Sequence, residues 1–336
     1  MGKKWVYKFI KIFSFLSLSI IIINYLVDPF AHYRISSWYK ITSKKQREVT
    51  PGLAKNAVYE TVVLGSSMAE NFKPSYIDKT LKTKSLKLCM SAMTAHEMNS
   101  LLKVIISNNK NIKHIILALD LYALTGSKTR IRTNKAPLYL YDNNFITDIF
   151  YLLNKETLRF SFRMSTKQRG KKTNFDDMWY WGNYYTYSKD RVLKTFANIK
   201  FNASFVNHEY TRDIFIRNFN YNILSIIKEN PNIKFSIFYP PYSYLTYKDM
   251  KNKKWLHEGF TFKKYLTRVK PSNLDIYDFQ CVSKITQDLS NYRDITHYSP
   301  KINTFIIDSL RDKKYMQNNK NIDKCLKQIE LSADKE

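Results

Sequence analysis

From Val6 to Val27 the chain is apolar almost without interruption. Phe9-Ile10-Lys11-Ile12-Phe13-Ser14-Phe15-Leu16-Ser17-Leu18-Ser19 leads straight into Ile20-Ile21-Ile22-Ile23-Asn24-Tyr25-Leu26-Val27. This run matches the ~20 residues that a helix needs to cross the hydrocarbon core of a bilayer. Such a segment removes itself from any folded domain and decides on which side of a membrane the rest works. Lys3, Lys4 and Lys8 precede the run, whereas Asp28 follows it directly and the next cation is Arg34. That bias puts residues 1–5 in the cytoplasm, 6–27 in the membrane as an anchor and the bulk of the chain outside. A cleaved signal peptide is the competing reading, but its apolar region is usually ~7–15 residues and no small-x-small site follows Val27. A buried core helix is the plainer alternative, which Lys11 within the run favours; the length and the flanks favour an anchor.

Residues 28–57 read as a basic juxtamembrane connector with Lys44, Lys45 and Arg47, suited to lipid headgroups. The pattern then changes to short continuous apolar runs that alternate with helical periodicity. Runs at Thr61–Leu64, Leu86–Met90, Ile115–Leu119, Phe235–Tyr239 and Leu274–Phe279 predict strands. A helix is expected over 74–82. Met98, Leu101, Leu102, Ile105 and Ile106 predict a second helix, and Ile302, Phe305, Ile306 and Leu310 a last one. Continuously apolar strands alternating with amphipathic helices imply an α/β class domain over 58–312, a three-layer α/β/α sandwich around a mostly parallel sheet of about five strands. Residues 124–220 interrupt the rhythm as a basic, aromatic insertion, and 313–336 read as a polar tail, partly disordered.

Composition excludes several chemistries. With 7 glycines, no two placed to form a dinucleotide fingerprint or a Walker-type loop, nucleotide sites of those kinds are ruled out. Cys89, Cys281 and Cys325 form no Cys-x-x-Cys, and His96-Glu97 and His257-Glu258 each lack the second His of a zinc helix, so neither a metal nor another cofactor is expected. A single Cys89–Cys281 disulfide stays open. The formal charge of +27, from 55 Lys+Arg against 28 Asp+Glu, attracts polyanions of any kind. Codon bias toward Lys, Asn, Ile, Tyr and Phe accounts for much of it. Nucleic acid conflicts with the anchor and with the lack of any nucleic-acid module.

In an open parallel sheet the functional groups collect beyond the carboxyl ends of the strands. Those positions hold Gly65-Ser66-Ser67-Met68, Ser91-Ala92, Asp120 and Pro240-Pro241-Tyr242-Ser243, and Asp294-Ile295-Thr296-His297 precedes the last helix. A serine hydroxyl is a weak nucleophile until an imidazole takes its proton, and that imidazole is held in the right tautomer by a carboxylate. Asp294 and His297 have the i,i+3 spacing that lets the carboxylate reach Nδ1 and leaves Nε2 for Ser67. Each piece has an ordinary reading as well: Ser-Ser as a turn or helix cap, and Asp-x-x-His as a structural pair.

Together these segments resemble the SGNH or GDSL hydrolase superfamily. The match is strongest to the membrane-anchored branch that includes the D-alanine transfer protein of teichoic acid assembly and, more distantly, alginate O-acetylation proteins. The resemblance covers about residues 58–312 and fits the insertion poorly. It implies Ser67 as nucleophile, His297 as general base and Asp294 as the residue orienting it; Ser66 is the alternative nucleophile, but the position matching the family's serine is Ser67. It also implies the backbone amides of Ser67 and Ala92 as oxyanion donors.

Two positions depart from the family pattern. Ala92 stands where a glycine is usual, and Leu117-Ala118-Leu119-Asp120 offers no asparagine donor. An ionised Asp120 would repel an oxyanion, so bracing the strand end is its more natural role; Ser91 and Ser66 complete the site edge. Glu70 and Glu97 read as solvated helix residues. The run Trp179–Tyr187 offers flat faces for sugar rings or, equally, core packing. Lys167–Lys172 reads as a solvated loop, or more sharply as a contact for an anionic glycan or lipid headgroup.

The expected activity is a membrane-anchored serine esterase or acyltransferase acting through an acyl-enzyme. Its partners would be a cell-envelope glycan or anionic polymer, membrane lipid through the N-terminal helix, and a membrane-bound acyl donor protein. A catalytically silent scaffold of an envelope assembly is the alternative.

Overall fold

The structure is a computed structural model that describes residues 2–133, 136–198 and 208–335; residues 134–135 and 199–207 of the expected insertion lie outside the described residues. The chain divides into two compact units. One comprises Met1–Val58, Val104–Asn109 and Lys135–Asn174, and the other comprises Tyr59–Lys103, Lys110–Asn134 and Phe175–Glu336. The insertion expected at 124–220 is thus shared between them.

The larger unit holds a five-stranded sheet, all parallel, in the order β2-β1-β3-β4-β5. Its strands are β1 (Thr61–Gly65), β2 (Ser85–Cys89), β3 (His114–Ala118), β4 (Lys234–Tyr239) and β5 (Leu274–Asp278). The five apolar runs therefore fall where the sequence puts strands. β1 and β2 are buried at every position, and β4 at every position after its first. Burial along both alternating faces means that the sheet is covered on each side, as a three-layer α/β sandwich requires. The covering helices include Pro74–Leu81 and Pro300–Arg311, both opened by a proline in the first turn, where the missing N–H costs nothing. Pro74–Leu81 ends where Lys82 turns left-handed, at φ 54°.

Because all strands run the same way, their carboxyl ends share one edge. β1 lies between β2 and β3. The chain leaves β1 to one side and later returns past it to the other, which opens a crevice at the end of β1. Gly65 closes that strand, and a Cβ there would lie 2.7 Å from the Ala118 Cβ at the end of β3. Only glycine lets the two strand ends come so near.

Two expectations are corrected here. The disulfide joins Cys281 to Cys325, with Cα atoms 5.2 Å apart, while Cys89 is a buried free thiol at the end of β2. Cys281 is committed to Cys325, which leaves no bridge for Cys89. The tail is also ordered: Ile322–Ala333 is a helix that buries Ile322, Cys325, Leu326 and Ile329. That i, i+3, i+4, i+7 pattern is an amphipathic stripe, which overall polarity concealed.

The smaller unit carries the apolar helix Gly2–Val27. Most of it is exposed, yet its last turns pack into the unit. Asn24 is fully buried; its Nδ2 donates to the Leu152 carbonyl (2.8 Å) and its Oδ1 accepts from Ser161 Oγ (2.9 Å). Asp28 follows with φ 52° and accepts from the amides of His32, Tyr33 and Arg34 and from Tyr151 Oη, each at 2.8–2.9 Å. Tyr39 Oη donates to the carbonyls of Val27 and Asp28.

The disulfide closes a loop of 44 residues, and loss of that constraint is worth about 4 kcal/mol in the chain-entropy account. Cys325→Ser should lower the midpoint of denaturant unfolding accordingly. Peptide mapping without reductant should recover the 281–325 pair and leave Cys89 alkylated only after unfolding; a bridged Cys89 would contradict the assignment.

Candidate active site

The turn after β1 brings two serines to the crevice in different roles. Ser66 is buried; its Oγ accepts from the Met68 amide (3.3 Å), capping the short helix Ser67–Ala69, and donates to the Asp120 carboxylate at the end of β3. Its hydroxyl is committed. Ser67, one residue on, is only partly buried and its Oγ lies 2.9 Å from His297 Nε2.

The segment Asp294–His297 is folded on its own carboxylate. Asp294 Oδ1 accepts from the amides of Thr296 (2.9 Å) and His297 (2.8 Å), and His297 Nδ1 lies 2.9 Å from Oδ2. A carboxylate on Nδ1 makes that nitrogen the donor and leaves Nε2 as the acceptor facing Ser67. Burial raises the Asp294 pKa, but the hydrogen bond and charge of His297 and the two amides outweigh it and hold the carboxyl down at about 2. Two anchors fix the segment. Ile295 O accepts from the Ser243 amide and from the hydroxyls of Ser243 and Thr246, and Tyr298 Oη donates to the Met68 carbonyl at 2.9 Å. The second tie binds the histidine segment directly to the serine turn.

Asp120 takes the bracing role. It is buried and accepts from both Ser66 Oγ and Tyr242 Oη, so its oxygens are occupied within the sheet edge. Burial raises its pKa, although those two hydroxyls work the other way. Ala92 lies in the left-handed region at φ 51°, the conformation a glycine adopts freely and an alanine at a cost of about 1 kcal/mol. Ser91 is exposed and donates to Glu70 Oε1 (2.9 Å).

Glu70 and Glu97 correct an expectation, because both are buried. Glu97 Oε2 accepts from the Thr94 amide while Thr94 Oγ1 accepts from the Glu97 amide, a capping box for the helix Ala95–Asn108. The Thr94-x-x-Glu97 spacing carried that signal.

The sequence did not single out Arg293. Its guanidinium lies 4.0 Å from the Trp181 ring centroid and 4.1 Å from that of Tyr185, and its Nε is 3.3 Å from Asp294 Oδ2. Trp181 stands edge to face with His297 at 5.6 Å, and its Nε1 donates to the Ser67 carbonyl at 3.4 Å. Trp181 of the aromatic run thus packs on the imidazole, Tyr185 stays partly open against Trp181 and Arg293, and Tyr184 is exposed. The Trp-x-x-x-Tyr spacing was legible; the cation between the rings comes from a segment over 100 residues away and was not.

For metal, Asp278, Cys281 and Cys325 lie within 4.8 Å of one another. The two sulfurs are joined to each other and Asp278 pairs with the buried Lys263 at 2.7 Å, so the donor set does not suit an ion.

No protein-family model matches the chain, and no curated protein does. Among solved structures it is similar to a protein from Streptococcus pneumonia provisionally described as a platelet activating factor. The identity is 10%, the TM-score 0.41, and the match covers 80% of this chain and 91% of that one. The reading of the site rests on its own geometry.

Asp120→Ala would strand two buried hydroxyls, those of Ser66 and Tyr242, at a cost of about 2–4 kcal/mol by the usual penalty for unpaired polar groups. Asp120→Asn, which keeps an acceptor, should cost less. Urea unfolding of the two variants checks the order, and equal losses would remove the bracing role.

Proposed function

We propose that this chain is a serine acyltransferase or esterase of the SGNH type, acting on hydroxyl-bearing polymers of the cell envelope. One observation carries the reading: Ser67 Oγ at 2.9 Å from His297 Nε2, with His297 Nδ1 held by Asp294 at 2.9 Å. Ser67 Oγ attacks the acyl carbon of an ester or thioester donor as His297 Nε2 takes the hydroxyl proton. The Oγ–C bond forms, the bond to the leaving group breaks, and His297 returns the proton to the departing oxygen or sulfur. An acceptor hydroxyl, or water, then gives its proton to His297 and attacks the acyl-enzyme, restoring Ser67. The amides of Ser67 and Ala92 are the proposed oxyanion donors. A carboxylate with two hydroxyl partners, such as Asp120, repels an oxyanion less than a free one would.

Retention of the N-terminal helix as an anchor belongs to this reading, with the main domain outside the cytoplasm. Its support is Asn24: cleavage after Val27 would remove a side chain that the smaller unit uses twice. The formal charge of +27 suits an anionic envelope polymer, and the exposed rings of Tyr184 and Tyr185 beside the site suit sugar faces. A membrane-bound protein is the proposed acyl donor. The left-handed Ala92 favours the second reading, a silent scaffold, to the extent that it weakens the oxyanion hole.

The test is labelling by a fluorophosphonate and release of p-nitrophenol from its acetate. Ser67→Ala and His297→Ala should abolish labelling and lower turnover ~10⁴-fold or more, with Asp294→Asn close behind through loss of the tautomer. Ser66→Ala should keep the label. Labelling unchanged in Ser67→Ala would defeat the proposal, and a wild type inert to both reagents that still binds envelope glycan would favour the scaffold.

The pH dependence follows from Asp294. Because its carboxyl is depressed to about 2, it is ionised throughout the working range and its stabilising contribution is lost only as pH falls from the ordinary carboxylate range through that value. Protonation of Asp294 should therefore add no limb to the wild-type rate profile at or above the ordinary carboxylate range. Asp294→Asn should lower the plateau of the profile, since His297 loses the carboxylate that holds its Nδ1; a plateau equal to that of the wild type would mean that Asp294 does not act on His297.

A further inference from the structure

The smaller unit exposes apolar side chains where a soluble domain would not. Phe145 and Phe150 are 81% and 62% exposed, and Ile146, Ile149, Leu153 and Phe162 are exposed as well. Isolated exposed apolar residues are ordinary, but a cluster of this size within about twenty residues marks an interaction surface.

The anchor helix says what covers it. Val6 to Asn24 rises about 27 Å at 1.5 Å per residue, close to the thickness of bilayer hydrocarbon. Asn24 therefore stands near the level where the helix leaves the core. At that level its amide bonds the Leu152 carbonyl and Ser161 Oγ. These two partners belong to the short helix Ile149–Leu152 and the helix Lys155–Lys167, which carry or adjoin all the exposed apolar residues. A side-chain cluster tied to that depth lies beside the headgroups and upper acyl chains.

The charge pattern agrees. Lys155, Arg159, Arg163 and Lys167 recur every four residues along the second helix and all are exposed, a winding stripe of four cations beside the apolar cluster. Glu156, which pairs with Arg159 at 2.8 Å and with Lys45 at 3.4 Å, is the acidic group on the same helix. Cations outside and aromatic or aliphatic groups inside is the arrangement that seats a surface helix on anionic lipid.

We propose that residues 145–167 form a collar that rests in the bilayer interface around the exit of the anchor, with Phe145 and Phe150 in the upper acyl region and the Lys155–Lys167 stripe on anionic phospholipid headgroups. The collar makes the anchor a rigid mount for the smaller unit. It rests on the reading of Gly2–Val27 as a membrane span.

The full chain is reconstituted in nanodiscs of phosphatidylglycerol and phosphatidylcholine and labelled with a bimane at Phe145→Cys, Phe150→Cys or Phe13→Cys. Lipids with a nitroxide near the headgroup should quench the 145 and 150 labels several-fold more than a water-soluble quencher does. Replacing phosphatidylglycerol by phosphatidylcholine should weaken that quenching. The Phe13 label should respond only to a nitroxide deep in the acyl chain.

A deep Phe13 label with 145 and 150 open to water overturns the collar and leaves the anchor standing. A Phe13 label open to water overturns both. A photo-crosslinker placed at Phe150 in whole membranes should yield lipid adducts, and adducts to a protein alone would replace the bilayer by a partner protein and overturn the proposal.

Discussion

The site depends on one constraint, the seating of β1 between β2 and β3 with Gly65 against Ala118. Parallel pairing brings the carboxyl ends of the strands to a common edge, and the small contact lets the ends of β1 and β3 converge. Ser66 can then reach Asp120 across that contact, which fixes the turn and turns Ser67 outward. A bulkier residue at 65 would separate the strand ends and release the turn. The Ser67 hydroxyl is thus positioned by its neighbour's hydrogen bond, and the buried carboxylate does its work one residue away from the proposed chemistry.

A second local economy serves the imidazole. Asp294 accepts from two amides of its own turn as well as from His297 Nδ1, so three short-range bonds hold the segment locally. Tertiary ties, from Ser243 and Thr246 to Ile295 O and from Tyr298 to Met68 O, then hold the segment against the rest of the site. Arg293, set against Trp181 and Tyr185, places a positive charge 3.3 Å from Asp294 Oδ2, the same oxygen that lies 2.9 Å from His297 Nδ1. Such stacking uses the flat guanidinium face and leaves its edge for the carboxylate.

What the sequence made legible was whatever depends on neighbours in the chain. Five apolar runs became five strands, and Asp294-x-x-His297 became a bonded pair, because period and short spacing determine both. Asp120 was readable as a brace from its place at the end of β3, though not its partner Tyr242, which arrives 122 residues later. The disulfide partner of Cys281 and the cation between Trp181 and Tyr185 were hidden for the same reason: they are set by which chain segments meet. The burial of Glu97 is written in the Thr94-x-x-Glu97 capping pattern, whereas that of Glu70 depends on tertiary contacts such as Ser91, 21 residues on. In the tail, overall polarity outweighed a four-residue stripe.

Charge looks different once it is located. As a total, +27 describes an affinity for polyanions and nothing about place. On the helix Lys155–Lys167 four of those charges acquire a spacing, an exposed face and a neighbouring apolar cluster, all fixed to the helix Gly2–Val27 through Asn24. Asn24 is the costly element here, a polar side chain near the end of an apolar span, and a buried polar group persists only where its bonds are made. Those bonds go to the smaller unit and nowhere else among the described residues. An apolar helix that served only as a tether would need no such residue, whereas one that must hold a folded unit at a fixed depth does.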